Sequence, residues 1–93
     1  MPRPRLCRRI GFRHQNFFFK PRGIPLGRLK IVEITQEEAE ALRLKDVEGL
    51  EQLDCAKKMN TSQSTFQRIL TGAHQKVSRA IIKGQAIMIV KDK

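Results

Sequence analysis

The chain has no tryptophan and no tyrosine, only two cysteines, and nine acidic residues against nineteen lysines and arginines in 93 positions. Each shortage excludes something. With five phenylalanines as the sole aromatics, the core must rest on Leu, Ile, Val and Ala, and a chain of this length builds one small domain rather than a two-lobed catalytic cleft. No apolar run approaches the roughly 20 residues that span a bilayer, and the longest near the start, Phe17-Phe18-Phe19, has three. Transmembrane and secretory readings therefore fall. Cys7 and Cys55 stand 48 positions apart with no CxxC and no companion histidine cluster. Neither a zinc site nor a disulfide framework is indicated, and a reducing, cytoplasmic setting is expected.

The shortage of acid leaves a net charge of +10, which concentrates phosphates and points to a polyanionic partner. The charge is also segregated. Residues 1–30 hold nine bases and no acid, residues 31–54 eight acids and two bases, and residues 55–93 eight bases and one acid. A basic arm and a basic C-terminal third are thus expected to meet the polyanion, with an acidic middle turned away.

All four prolines fall in the first 30 residues, which excludes long helices there. Pro2-Arg3-Pro4-Arg5 reads as an extended arm, residues 13–20 as a short strand around the Phe triplet, and residues 29–34 as a strand ending at Thr35. Thr35 and Glu38 have the spacing of a capping box, opening a helix over residues 36–48 that Gly49 stops. A second helix over residues 50–59 is expected to bury Leu53, Ala56 and Met59, with Cys55 a small buried hydrophobe beside them. Asn60 tolerates the positive φ of a tight turn. Ser62 caps a third helix with apolar Phe66, Ile69, Leu70, Ala73, Val77, Ala80 and Ile81 on one stripe, ended by Gly84. Residues 86–90 read as a second strand, pairing with residues 29–34.

A short helix carrying the small Ala56, a turn at Asn60, a cap at Ser62 and core Phe66 and Ile69 have the spacing of a helix-turn-helix. The small residue lets the helices cross closely, and Phe66 and Ile69 lock them. Opposite the apolar stripe stand Ser64, Gln67, Arg68, Thr71, Gln75 and Arg79, all able to hydrogen-bond and none acidic. With Gln63 and Thr65 they form an expected groove-reading set, and Arg3, Arg5, Arg8 and Arg9 are assigned to the DNA backbone or minor groove.

Met1-Pro2-Arg3-Pro4-Arg5, Arg8-Arg9-Ile10, Lys20-Pro21-x-Gly23-Ile24-Pro25-Leu26, Glu40-Ala41-Leu42-Arg43-Leu44, Glu48-Gly49-Leu50 and Ser64-Thr65-Phe66-x-Arg68-Ile69-Leu70 cover nearly the whole chain. Together they resemble a family of small bacterial and archaeal proteins of unknown function with an N-terminal Pro-Arg-Pro-Arg arm, and that resemblance implies DNA binding. The helix-turn-helix segment is similar to region four of bacterial sigma factors, which implies major-groove reading at promoters. Asn60 stands where such turns usually carry Gly, and Thr61 where Val or Ile enters the core. A looser turn is expected here.

The remaining features read as structure. Phe17, Phe18 and Phe19 are expected in the core, residues 37–54 as a solvated acidic face able to pair with Arg43 and Lys45 or with basic partners, and His14 and His74 as exposed or phosphate-facing. Cys7 sits among cations that lower its pKa, but redox sensing is the minor reading. The expected architecture is mainly α: three helices, a two-stranded sheet, an arm over residues 1–28 and a helix-turn-helix domain over 29–93. The expected function is sequence-preferring binding of double-stranded DNA in transcription regulation, without catalysis, metal or cofactor. Two rival readings are a sigma-like module docking on RNA polymerase and an RNA binder using the Phe triplet and arm. A homodimer through an exposed strand at residues 86–90 is a further expectation.

Overall fold

The computed structural model describes residues 18–90. Three helices stand beside a small three-stranded sheet: β1 (Phe18–Phe19), β2 (Ile31–Ile34), α1 (Gln36–Leu42), a π-helical turn (Arg43–Val47), α2 (Gln52–Lys58), α3 (Gln63–Lys83) and β3 (Ala86–Ile89). The arm residues Arg3, Arg5, Arg8 and Arg9, with Cys7, His14 and Phe17, lie outside the described residues.

Local chemistry fixes the helix starts. The Glu38 amide donates to Thr35 Oγ1 at 3.1 Å, and the Thr35 amide to Glu38 Oε1 at 3.0 Å, completing the capping box. Ser62 Oγ accepts from the Thr65 amide at 3.1 Å, and Gly84 closes α3 at φ 67°. The first helical stretch keeps its expected span but changes pitch midway. Beyond Leu42 the Glu48 amide donates to the Arg43 carbonyl at 2.8 Å, a five-residue step, so one residue is inserted into the ladder.

The sheet has the order β1-β3-β2 rather than two strands. β3 runs parallel to β2, with Ile31 opposite Ala86, and antiparallel to β1, with Phe18 opposite Met88. Residues 86–89 therefore form the central strand, and Ala86 is fully buried. Both its edges are taken. The expected strand-to-strand homodimer through this segment is thereby corrected, because pairing there requires an open edge. β2 begins at Ile31, not Leu29. Phe18 and Phe19 are 38% and 57% exposed rather than core, since a two-residue edge strand is covered on one side only.

The core lies where α1, the π turn, α2 and the first half of α3 converge on Ala41, Leu44, Cys55, Ala56, Met59, Phe66 and Leu70. Leu53 is a correction: it is 51% exposed. Cys55, Ala56 and Met59 form the buried stripe of α2, and at 100° per residue Leu53 falls more than 100° from its centre. Leu50, ahead of the helix, packs against the core instead. Burial pushes the Cys55 thiol up, partly offset by the Lys45 cation.

The acidic middle is not wholly a solvated face. Glu40 is 1% exposed and takes two bonds from Arg43, at 3.0 Å from Nε and 2.8 Å from Nη2, and this pairing raises the guanidinium's pKa. One helical turn before it, buried Gln36 donates to the Val90 carbonyl at 3.0 Å, fastening α1 to the end of β3.

Candidate nucleic-acid interface

The α2–turn–α3 corner is held by backbone bonds. The Asn60 amide reaches the Lys57 carbonyl and the Thr61 amide the Ala56 carbonyl, each at 3.0 Å, and Asn60 takes φ 58°. Asn60 thus takes the left-handed conformation that its short polar side chain tolerates, and the turn closes on two backbone bonds without a glycine.

α3 is oriented from both flanks. Phe66, Leu70, Ala73 and Ala80 are buried against the other elements. Lys76 is spent internally: its Nζ reaches Glu38 Oε1 of α1 at 2.9 Å and the Glu33 carbonyl of β2 at 3.0 Å. His74 meets Asp46 of the π turn at 2.7 Å, so this histidine pairs with a carboxylate although it is half exposed. These contacts turn the opposite face outward.

That face carries Ser64, Gln67, Arg68, Thr71, Gln75 and Arg79, all exposed and within about 120° of one another around the axis. α3 contains no acidic residue. The structure thus brings six of the expected reading residues into one row. Thr65 falls outside it: half-buried, it serves the cap, its Oγ1 bonded by Ser62 Oγ at 2.9 Å. Gln63 is exposed but lies at the row's edge.

Within the row, Gln67 is held. Its Nε2 donates to Thr71 Oγ1 at 3.1 Å, and its Oε1 accepts from Nε2 of Gln52 in α2. Gln52 is the residue that sequence reasoning missed. Helical periodicity finds faces of a single helix, whereas this contact joins two. The effect is a Gln52–Gln67–Thr71 chain that fixes the rotamers of two row residues while leaving Arg68 projecting beside them. Such preorganisation lowers the entropy lost when a partner is bound.

Over a helix of 21 residues, about 31 Å long, the row is narrow enough to enter a groove about 12 Å wide. Among the described residues there is no cluster of three or more His, Cys, Asp or Glu that could hold a metal, and no helix is long and apolar enough to cross a membrane.

Fold and face together define a small, basic, mainly helical domain that presents an acid-free, hydrogen-bonding side of one long helix to solvent. The chain belongs to the family described as "Protein of unknown function DUF134", whose model matches residues 1–92. It is 57% identical over 89 residues to the UPF0251 protein of Desulforudis audaxviator, covering 96% of this chain and 58% of that relative. It is 51% identical to those of Halothermothrix orenii, covering 94% and 64%, and Moorella thermoacetica, covering 96% and 60%. The chain thus spans less than two thirds of the length of these relatives. No solved structure matches it. The expected setting among uncharacterised bacterial proteins is therefore shown.

Proposed function

We propose that this domain binds double-stranded DNA with sequence preference and regulates transcription in the cytoplasm, using α2, the Asn60 turn and α3 as a helix-turn-helix. The observation that carries the reading is the exposed row on α3: six hydrogen-bonding side chains, two of them arginines, on a helix without a single acid. Major-groove edges offer acceptors at guanine and an acceptor–donor pair at adenine, which arginine and glutamine respectively complement. Arg3, Arg5, Arg8 and Arg9, alternating in part with proline, supply cations for the backbone or minor groove. The role assigned is binding, not catalysis, and it needs no cofactor.

The test is a mobility-shift comparison of duplex DNA, single-stranded DNA and RNA at several salt concentrations. Duplex is expected to bind tightest. With about five to eight phosphate contacts, the slope of log affinity against log salt is expected near −5 to −7. A slope shallower than about −2, or a preference for RNA, would overturn the reading.

One observation favours a second reading, docking of the acidic side on RNA polymerase or another basic protein. Val47 and Leu53 are 77% and 51% exposed in a segment that also carries the exposed Asp46, Glu48, Glu51 and Asp54. Apolar anchors rimmed by charge suit a protein partner, and such docking is compatible with α3 on DNA.

A further inference from the structure

The buried stripe of α2, made by Cys55, Ala56 and Met59, has one polar member. Gln52 lies three, four and seven residues before them, on the side of α2 that packs against α3, and it is half-buried where they are buried. Its neighbours fix its place. Leu50 packs on the core and its amide donates to the Leu44 carbonyl at 3.1 Å, while the Cys55 amide donates to the Glu51 carbonyl at 2.9 Å and closes the first turn. A polar side chain is thereby set at the rim of the α2–α3 contact, where the packed stripe gives way to the exposed row.

At that rim Nε2 of Gln52 donates to Oε1 of Gln67, whose own Nε2 donates to Thr71 Oγ1 at 3.1 Å. A primary amide has two N–H donors and two acceptor sites on its oxygen. Among the described residues one of each is taken, so one donor and one acceptor of Gln67 are left for a partner. That pair matches N7 and the N6 amino group of adenine, whereas guanine offers two acceptors and sets its O6 against the amide oxygen. The amide also has a direction, its oxygen held by α2 and its nitrogen by Thr71, one turn further along α3. A·T and T·A present N7 and N6 in opposite order across the major groove, so a fixed amide tells them apart. A glutamine without such partners does not, because half a turn about its last torsion exchanges oxygen and nitrogen at little cost. The bond adds little to helices already locked by Phe66 and Met59, and its value lies in orientation.

We propose that Gln52 is a positioning residue for base reading: it holds the Gln67 amide with its oxygen toward α2, and Gln67 so held reads adenine on one strand of an A·T pair. This inference rests on the DNA-binding reading.

The test is selection from randomised duplexes with the full chain and its variants, followed by competition between duplexes that differ at one base pair. Gln67→Ala locates that pair, and is expected to lose about 5-fold to 150-fold of the preference there while keeping it elsewhere. Gln52→Met keeps length and helix propensity but cannot donate. Adenine at the same pair is expected to lose about 2-fold to 13-fold of its advantage, the cost of ordering one freed side chain, and Gln52→Met should change nothing further once Gln67 is alanine. Gln52→Glu goes further. A carboxylate only accepts, so it takes Gln67 Nε2 instead of Oε1, Thr71 Oγ1 donates to the oxygen, and the order of donor and acceptor is reversed. This variant is expected to prefer T·A at that pair and to keep the other positions. Its charge weakens binding to every duplex alike, which leaves base preferences standing, and a carboxylate in the first turn of α2 suits the helix dipole, so the melting temperature should hold. Failure of Gln52→Glu to invert the pair overturns the proposal, as does an unchanged preference in Gln52→Met or a loss spread evenly over all base positions. The methionine variant decides alone if the glutamate variant does not fold. If the wild type selects no sequence from the pool, the DNA-binding reading fails and this inference with it, an outcome distinct from a selected sequence that ignores Gln52.

Discussion

Replacing Arg68 by alanine is expected to lower affinity for the preferred duplex about 5-fold to 150-fold while leaving the fold intact. The side chain is exposed and beside the fixed Gln52–Gln67–Thr71 chain, so it adds nothing to the core. Its guanidinium can donate two bonds to O6 and N7 of one guanine, and loss of such a bidentate contact costs about 1 to 3 kcal/mol. The loss should fall on one base position. Binding to random duplex, which rests on phosphate charge spread over many residues, is expected to fall far less. Lys93→Ala is the control and should change little. Selection from randomised duplexes with both proteins reads the outcome: an unchanged sequence preference removes Arg68 from base reading, and equal loss on random and preferred duplexes makes it a phosphate contact.

The second large effect belongs to Phe66→Ala, which is expected to cost about 3 to 5 kcal/mol of folding free energy. Phe66 is fully buried and, among the described residues, the largest side chain to be so, packed where α2, α3 and the π turn meet. Removing its ring leaves a cavity between helices whose backbone is fixed by the bonds of the Asn60 corner, so the site has little freedom to collapse. A chain of 93 residues is stable by about 5 to 14 kcal/mol at the usual 0.05 to 0.15 kcal/mol per residue. The loss is thus a large share of the whole, and thermal denaturation followed by circular dichroism checks it. DNA binding should fail together with the fold on heating, unlike Arg68→Ala, where binding fails while the melt is unchanged. A melt of Phe66→Ala within about 1 kcal/mol of wild type would contradict the placement of the core.

What the chain encodes locally was legible in its sequence. The Thr35–Glu38 box, the Ser62 cap, the Asn60 turn and the Gly84 stop each depend on residues within a few positions of one another, and each formed as the spacing predicts. The row Ser64, Gln67, Arg68, Thr71, Gln75 and Arg79 was legible for the same reason: one regular helix relates them. Non-local relations were not. The order β1-β3-β2 pairs residues some seventy positions apart and puts an apolar run between two partners instead of at an edge. The buried Gln36 and Glu40 are polar by composition and interior by packing, paired with Val90 and Arg43. Nor does periodicity reveal where a stripe stops being covered. α3 has 21 residues against seven each for α1 and α2, so its end runs past both, and Ile81 continues the stripe into solvent. In α2 the misplaced Leu53 has a similar origin: over seven residues, two stripes fit the apolar positions about equally, and packing chose the one through Cys55, Ala56 and Met59.

The central claim is that the outward row of α3 meets duplex DNA, and amide chemical shifts recorded as a duplex is added test it residue by residue. The account predicts that the largest changes fall on Ser64, Gln67, Arg68, Thr71 and Gln75, with Gln52 following through its bond to Gln67, and that Asp46, Val47, Glu48 and Glu51 hardly move. Changes centred on that acidic segment, with the α3 row unmoved, would contradict it.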